Sequence, residues 1–140
     1  MDTIHLHYDV AGDDFISAGE ASSDVKRTLR RLGFDTETIR RASICMYEGE
    51  INMVIHAYGG EVDVYITEEK LRIVLKDNGP GIPDIEKAMQ EGYTTASQTV
   101  HDLGFGAGMG LPNMKRYSDE MEVESEEGVG TTVKMTIYTR

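Results

Sequence analysis

Three groups of residues have the types and spacing to do chemistry. Glu48, Asn52 and His56 fall at i, i+4 and i+8 of a helix-like segment and so share one stripe. Asp77-Asn78-Gly79-Pro80-Gly81 puts an acid at the end of the strand-like run 71–76, directly before two glycines. Gly104-Phe105-Gly106-Ala107-Gly108-Met109-Gly110 sets four alternating glycines ahead of a helix-like run that opens with Leu111 and Pro112. Six of the chain's 15 glycines lie in these last two groups. Glycine lets a backbone approach a ligand with no Cβ in the way. An acid at a strand end, then two glycine-rich turns around a polar insert, suggests a site that grips a base and its phosphates.

Each group also has a plainer reading. Glu48 and Asn52 interrupt a segment whose apolar residues (Ile39, Ala42, Ile44, Met46, Tyr47, Ile51, Met53, Val54, Ile55) cover most of its circumference. A buried Asn or Glu must find partners. Mg²⁺ with its waters would satisfy both, as would a Glu–Asn hydrogen bond, and a solvent-facing stripe would need neither. His56 is read as packing beside the site rather than acting in it. Asp77 can accept a hydrogen bond from an exocyclic amine, yet Asp-Asn-Gly is also ordinary turn chemistry. The exposed amides of 104–110 and the helix start near Pro112 make an anion site; the alternative is a flexible loop. No Gly-Lys-Ser/Thr is present, so this is not a P-loop, and the dinucleotide fingerprint is absent too.

The elements that must position these groups follow from periodicity. Residues 4–10 alternate as a half-buried strand, with Ile4, Leu6, Tyr8 and Val10 inward and His5 and His7 outward. A His-x-His pair can ligate a metal, but two solvent-facing histidines are the commoner case and the reading adopted. Asp13-Asp14 caps a helix that Gly33 closes, with Ala21-Ser22-Ser23-Asp24 as a break or fresh start within it. Asp35-Thr36 opens a second helix running to about Tyr58, ended by Gly59-Gly60. Residues 61–67 and 71–76 form a hairpin. Pro83-Asp84 starts a short helix through Met89, and 91–101 is polar and aperiodic, the profile of a mobile loop. A helix over 111–119 has Pro112 in its first turn. A closing hairpin joins 121–125 to 131–138. Hairpins mixed with helices predict an α+β, two-layer α/β sandwich: a mostly antiparallel mixed sheet with helices on one face.

The chain has 140 residues, one domain's worth, spanning 1–140. A formal charge of −11 argues against non-specific nucleic-acid binding, which needs a local excess of Lys and Arg. The single cysteine, Cys45, excludes an internal disulfide, fits a reducing cytoplasm and reads as a core residue. No apolar run is long enough for a membrane span, and the N-terminus has no signal-peptide pattern. A cytoplasmic location is expected.

Taken in order, the groups resemble the GHKL ATP-binding family, which has the Bergerat nucleotide fold. Residues 48–58 match its N box, Asp77–Gly81 its G1 box, Gly104–Gly110 its G2 box, and Gly128-Val129-Gly130-Thr131 its last motif. The match covers about Thr36 to Thr132. As a lone catalytic domain of this size the chain resembles the bacterial anti-sigma-factor serine kinases and the switch kinases of partner switching, and the stretch 81–95 and the Gly110-Leu111-Pro112 junction are particularly close to the switch-kinase branch. That resemblance implies ATP and Mg²⁺ as cofactors. It implies Asn52 as the Mg²⁺ ligand and Glu48 as the general base toward an attacking serine. It implies Asp77 on the adenine amine, Gly81 against the ring and Thr131 supporting the same base. Gly106, Gly108 and Gly110 would supply lid amides to the phosphates, with Gly79, Gly104, Met109 and Leu111 completing the nucleotide contacts. The 94–101 insert is roomier than a tight lid requires. The expected activity is a Mg-ATP-dependent serine/threonine protein kinase and anti-sigma regulatory factor acting on a small STAS-type protein. A sigma factor or a phosphatase is a further expected partner, and a homodimer through the first strand would engage the His5/His7 face. The alternatives are a nucleotide-gated binding module without phosphotransfer, and a stand-alone histidine-kinase-like ATPase domain.

Overall fold

The computed structural model describes residues 2–12, 14–55, 59–79, 89, 110–126 and 128–139. Strands β1 (Ile4–Val10), β2 (Gly60–Ile66), β3 (Lys70–Asp77), β4 (Glu120–Glu126) and β5 (Gly130–Tyr138) form one sheet in the order β1-β2-β3-β5-β4. Every pairing in it is antiparallel. Alternation decides which face is buried. Val62, Val64 and Ile66 of β2 stand in register with Leu75, Ile73 and Leu71 of β3, and these with Val133, Met135 and Ile137 of β5. All nine are buried. Each such side chain contributes roughly 1.5–3 kcal/mol relative to exposure. The other face carries His5, His7, Asp63, Arg72 and Lys134, so a one-residue slip in register would put charges into the core.

Helices α1 (Glu20–Arg31), α2 (Thr36–Ile55) and α3 (Gly110–Tyr117) supply the second layer. Val25 and Leu29 of α1, Ala42, Cys45 and Met46 of α2, and Met114 of α3 join the inner sheet rows in one cluster. The two-layer α+β sandwich expected from the hairpins is therefore the fold. No described helix is long and apolar enough to cross a membrane.

The helix ends show where local chemistry rules. Asp35 Oδ1 accepts the Thr38 amide at 2.7 Å, the N-cap bond its residue type favours. At the end of α1, Gly33 has φ +82°; its amide donates to Arg30 O and that of Phe34 to Leu29 O. These two bonds make a Schellman cap, and the positive φ is why glycine closes this helix. The start of α1 differs from expectation. Residues 15–19 are turns, and Asp14 Oδ1 accepts the Ser17 amide at 3.1 Å, closing a turn rather than capping a helix. The fresh start falls at Glu20, after Gly19 in the left-handed region, with no cap from a neighbouring side chain. The first-turn donors go instead to Glu50 of α2: Gly19 N at 3.0 Å, Ala21 N at 3.3 Å, Ser22 N at 3.0 Å and Ser22 Oγ at 2.7 Å. A carboxylate there meets the positive end of the α1 dipole.

Gly59 and Gly60 connect α2 to β2. A Cβ on Gly59, at φ +64°, would lie 2.3 Å from Val10 O, and one on Gly60 would lie 2.3 Å from Lys76 O. Only glycine lets the chain pass between β1 and β3 at this point. The last residues expected in α2 (56–58), the short helix over 83–89 apart from Met89, and the 91–101 insert lie outside the described residues.

Candidate nucleotide site

The two-residue period places the first pair of groups. Asp77 ends the inner row Leu71-Ile73-Leu75, and Thr131 begins the inner row Val133-Met135-Ile137, so both face the helical layer on neighbouring strands. Asp77 Oδ1 accepts the Gly79 amide and the Thr131 amide, each at 3.0 Å. The turn reading of Asp-Asn-Gly is thus realised, and it does more than make a turn: it fixes the carboxylate. Among the described residues Oδ2 takes no bond and remains an acceptor. Gly130 is what permits this approach, because a Cβ there would sit 2.3 Å from Asp77 O. Thr131 is buried, its hydroxyl 3.1 Å from the Ser125 hydroxyl.

α2 lies over the same end of the sheet. Gly49 packs its backbone on Leu75, where a Cβ would come within 2.5 Å of a methyl carbon. That contact sets the height of the neighbouring Glu48 and Asn52 above β3. Both are half-buried and face the first turn of α3. Asn113 Nδ2 donates to Glu48 Oε1 at 3.3 Å. A Cβ on Gly110 would stand 2.8 Å from Asn52 Nδ2 and 3.0 Å from its Oδ1, so the absence of a side chain at 110 makes room for that amide. Leu111 turns its side chain into the core, leaving its backbone to the site. Cys45 is in the core as expected, its Sγ 3.7 Å from Met114 O, and burial pushes its thiol up to about 12.

The structure therefore forms two groups on the same end of the sheet: Glu48 and Asn52 at the Gly110–Leu111 start of α3, and Asp77 with Gly79 and Thr131, with Gly49 of α2 packed on Leu75 of β3. The other expected site residues, Gly81, Gly104, Gly106, Gly108 and Met109, and also His56, lie outside the described residues. Two neighbours were not foreseen. Asn113 follows Gly110 by one helical turn, a spacing that could have flagged it once Gly110 was suspected. Ser125 comes from the partner strand of the closing hairpin, and only the register reveals it.

The chemical character is now defined: an anchored carboxylate with a spare oxygen, a carboxylate with acceptor capacity left, and an amide held at a glycine helix start. The histidine kinase-like ATPase domain matches residues 14–137. The chain belongs to that family. Within it, a similar protein is the anti-sigma F factor of Caldanaerobacter subterraneus subsp. tengcongensis, 38% identical over 107 residues, covering 73% of this chain and 71% of the relative. Another is the serine/threonine-protein kinase RsbT of Bacillus subtilis, 30% identical over 131 residues, 91% of this chain and 90% of RsbT. These likenesses put the chain in the anti-sigma-kinase branch of the GHKL ATPases. A crystal structure of the RsbU and RsbW domains of a Mycobacterium tuberculosis protein shares the fold, with a TM-score of 0.59 at 16% identity over 98% of this chain. This chain spans 32% of that longer one. For a family of ATPases, the residues present fit the nucleotide: the free Asp77 oxygen suits an adenine amine, and the Asn52 amide suits a hard cation beside phosphates.

Proposed function

We propose that the protein is an ATP-dependent serine/threonine kinase of a partner-switching system, phosphorylating a small STAS-type antagonist. The observation that carries the reading is the meeting at the first turn of α3, where Asn52 lies against Gly110 and Glu48 is bonded to Asn113. Asp77 orients the base through its spare oxygen, with the Thr131 amide holding the carboxylate in place. The Asn52 amide oxygen would hold Mg²⁺, which when bound neutralises phosphate charge. Gly110 would supply a backbone amide toward the phosphates, and the family resemblance adds Gly104, Gly106, Gly108, Met109 and Leu111 as further nucleotide contacts. Glu48 takes the proton from the attacking serine hydroxyl, and Asn113 keeps that carboxylate aimed. Phosphoryl transfer asks mainly for positioning and charge neutralisation, so this set of groups is sufficient. The likeness to RsbT supports a kinase, and the likeness to anti-sigma F factors supports a sigma factor as a second partner.

The test is transfer of γ-labelled phosphate from Mg-ATP into a panel of STAS-domain proteins of the source organism, with Glu48→Gln beside the wild type. An acid-stable product that vanishes with Glu48→Gln supports the kinase. ATP binding with no transfer would make the protein a nucleotide-gated binding module, and an acid-labile product a histidine-kinase-like domain.

A further inference from the structure

The outer face of β1 and β2, on the side of the sheet away from Asp77, carries a second cluster of metal-ligand type. Its outer row on β1 is His5, His7 and Asp9, and directly opposite on β2 stand Tyr65, Asp63 and Glu61. We propose that this face binds one zinc-class divalent cation through His7 Nε2, Asp9 and Glu61. This site does not rest on the kinase reading.

The donor atoms of His7, Asp9 and Glu61 all lie within 4.8 Å of one another, and all three side chains are exposed. Zinc bonds to imidazole and carboxylate are about 2.0–2.2 Å, so ligand atoms need separations of roughly 3–4 Å around the ion. His7 Nε2 and Asp9 Oδ1 already stand 3.2 Å apart.

The ring is aimed, which distinguishes this group from a scatter of surface acids. His7 Nδ1 lies 2.8 Å from Asp63 Oδ1. A carboxylate only accepts, so Nδ1 carries a hydrogen toward Asp63, and Nε2 carries a second toward Asp9; the two carboxylates raise the His7 pKa, and a cation would take the place of the Nε2 proton between the same groups. Asp63 is held in turn by His5 Nε2 at 2.7 Å, and the His5 ring stacks on Tyr65 with centroids 4.6 Å apart. A carboxylate behind a ligating imidazole is the usual support for a histidine-bound metal.

The charges ask for a cation. Asp9 and Glu61 are directly opposed across the ladder, an arrangement that destabilises a strand pair when nothing lies between the charges. A proton on Nε2 or a cation shared by all three removes that cost. Lys76 stands opposite Glu61 on β3, but among the described residues no ion pair joins them. An imidazole ligand favours zinc, nickel or copper over magnesium and calcium, which prefer all-oxygen sets.

The test titrates zinc chloride into the full chain without nucleotide, by calorimetry, with the histidine ring nitrogens followed by NMR. One equivalent should bind and move the His7 Nε2 resonance. His7→Ala should abolish the isotherm, and Asp63→Asn should weaken it about 10- to 100-fold while leaving the thermal midpoint in place. A tenfold excess of Mg²⁺ should leave it unmoved. Absence of saturable zinc binding, binding that survives His7→Ala, or displacement of zinc by Mg²⁺ would each overturn the proposal. The NMR readout on the wild type decides the matter even if a variant folds poorly.

Discussion

Two glutamates on α2, two residues apart, are used in opposite ways. At 100° per residue, Glu48 and Glu50 point to opposite sides of the helix. Glu50 is 3% exposed and accepts four hydrogen bonds from the start of α1. Glu48 is half-buried and, among the described residues, takes one bond of 3.3 Å from a neutral amide. The first is spent as a distant helix cap. The second keeps acceptor capacity, which a general base must have. Concavity alone would mislead here: a cleft of about 1290 Å³ opens on the Glu50 side, lined by Tyr8, Gly19, Tyr47 and Val54. The acid beside that hollow is saturated, and the acid with acceptor capacity left lies across the helix.

The sharpest way to break this contrast is to neutralise each acid in turn. Glu48→Gln keeps the shape and removes the proposed base, so phosphoryl transfer should fall about 10²- to 10⁴-fold, as expected for loss of general base catalysis. The thermal midpoint should stay within the range of an ordinary surface change, about 0.5 kcal/mol. If transfer survives, Glu48 is a structural residue like Glu50 and the contrast collapses.

Glu50→Ala should do the reverse. Orphaning the buried Ser22 amide and hydroxyl and the Ala21 amide should cost about 3 kcal/mol, or roughly 10 °C in midpoint. Transfer per folded molecule should hold. Denaturant unfolding and rates corrected for the folded fraction check both halves. A rate loss as large as that of Glu48→Gln would mean that the α1 start feeds the site.

Gly110→Ala probes the α3 side of the contrast more gently. The new methyl would press on the end of the Asn52 side chain, which can swing away, so the fold should persist. The amide would no longer be where a cation needs it. Affinity for Mg-ATP should fall about tenfold, the equivalent of one charge-assisted hydrogen bond, with little change for ATP in chelator. Equal losses with and without Mg²⁺ would assign Asn52 a packing role.

What the sequence disclosed tracks how local each interaction is. Asp77 and the Gly-x-Gly-Thr motif were legible because close backbone approach leaves glycine as the only choice at 130. The Asp35 and Gly33 caps were legible because their partners lie within a few residues. The start of α1 was misplaced because Asp13-Asp14 offered a plausible nearby cap while the real one, Glu50, sits 28 to 31 positions away. His5 and His7 were rightly read as solvent-facing, but their common partner Asp63 enters only through the β1–β2 register. Asn113 could be found only through Gly110, one helical turn before it, because its bond to Glu48 spans 65 positions.

A third acid at the other end of α2 completes the scale, and its effect should be the smallest. Asp35 is exposed, and its bonds with the Thr38 hydroxyl and amide hold its carboxyl below the usual 3.8. A carboxyl lowered on folding contributes stability that is present above 3.8 and lost as pH falls through the native value. Asn caps a helix about as well as Asp but does not titrate in this range. Asp35→Asn should therefore match the wild type near neutral pH and lose less midpoint below 3.8, in a thermal series across the acid limb. An acid limb unchanged by the substitution would mean that the bond geometry alone, and not the charge, holds the start of α2. The carboxylate at Asp35 would then differ from Glu50 in kind as well as in burial, since Glu50 sits among donors that only an acceptor can satisfy.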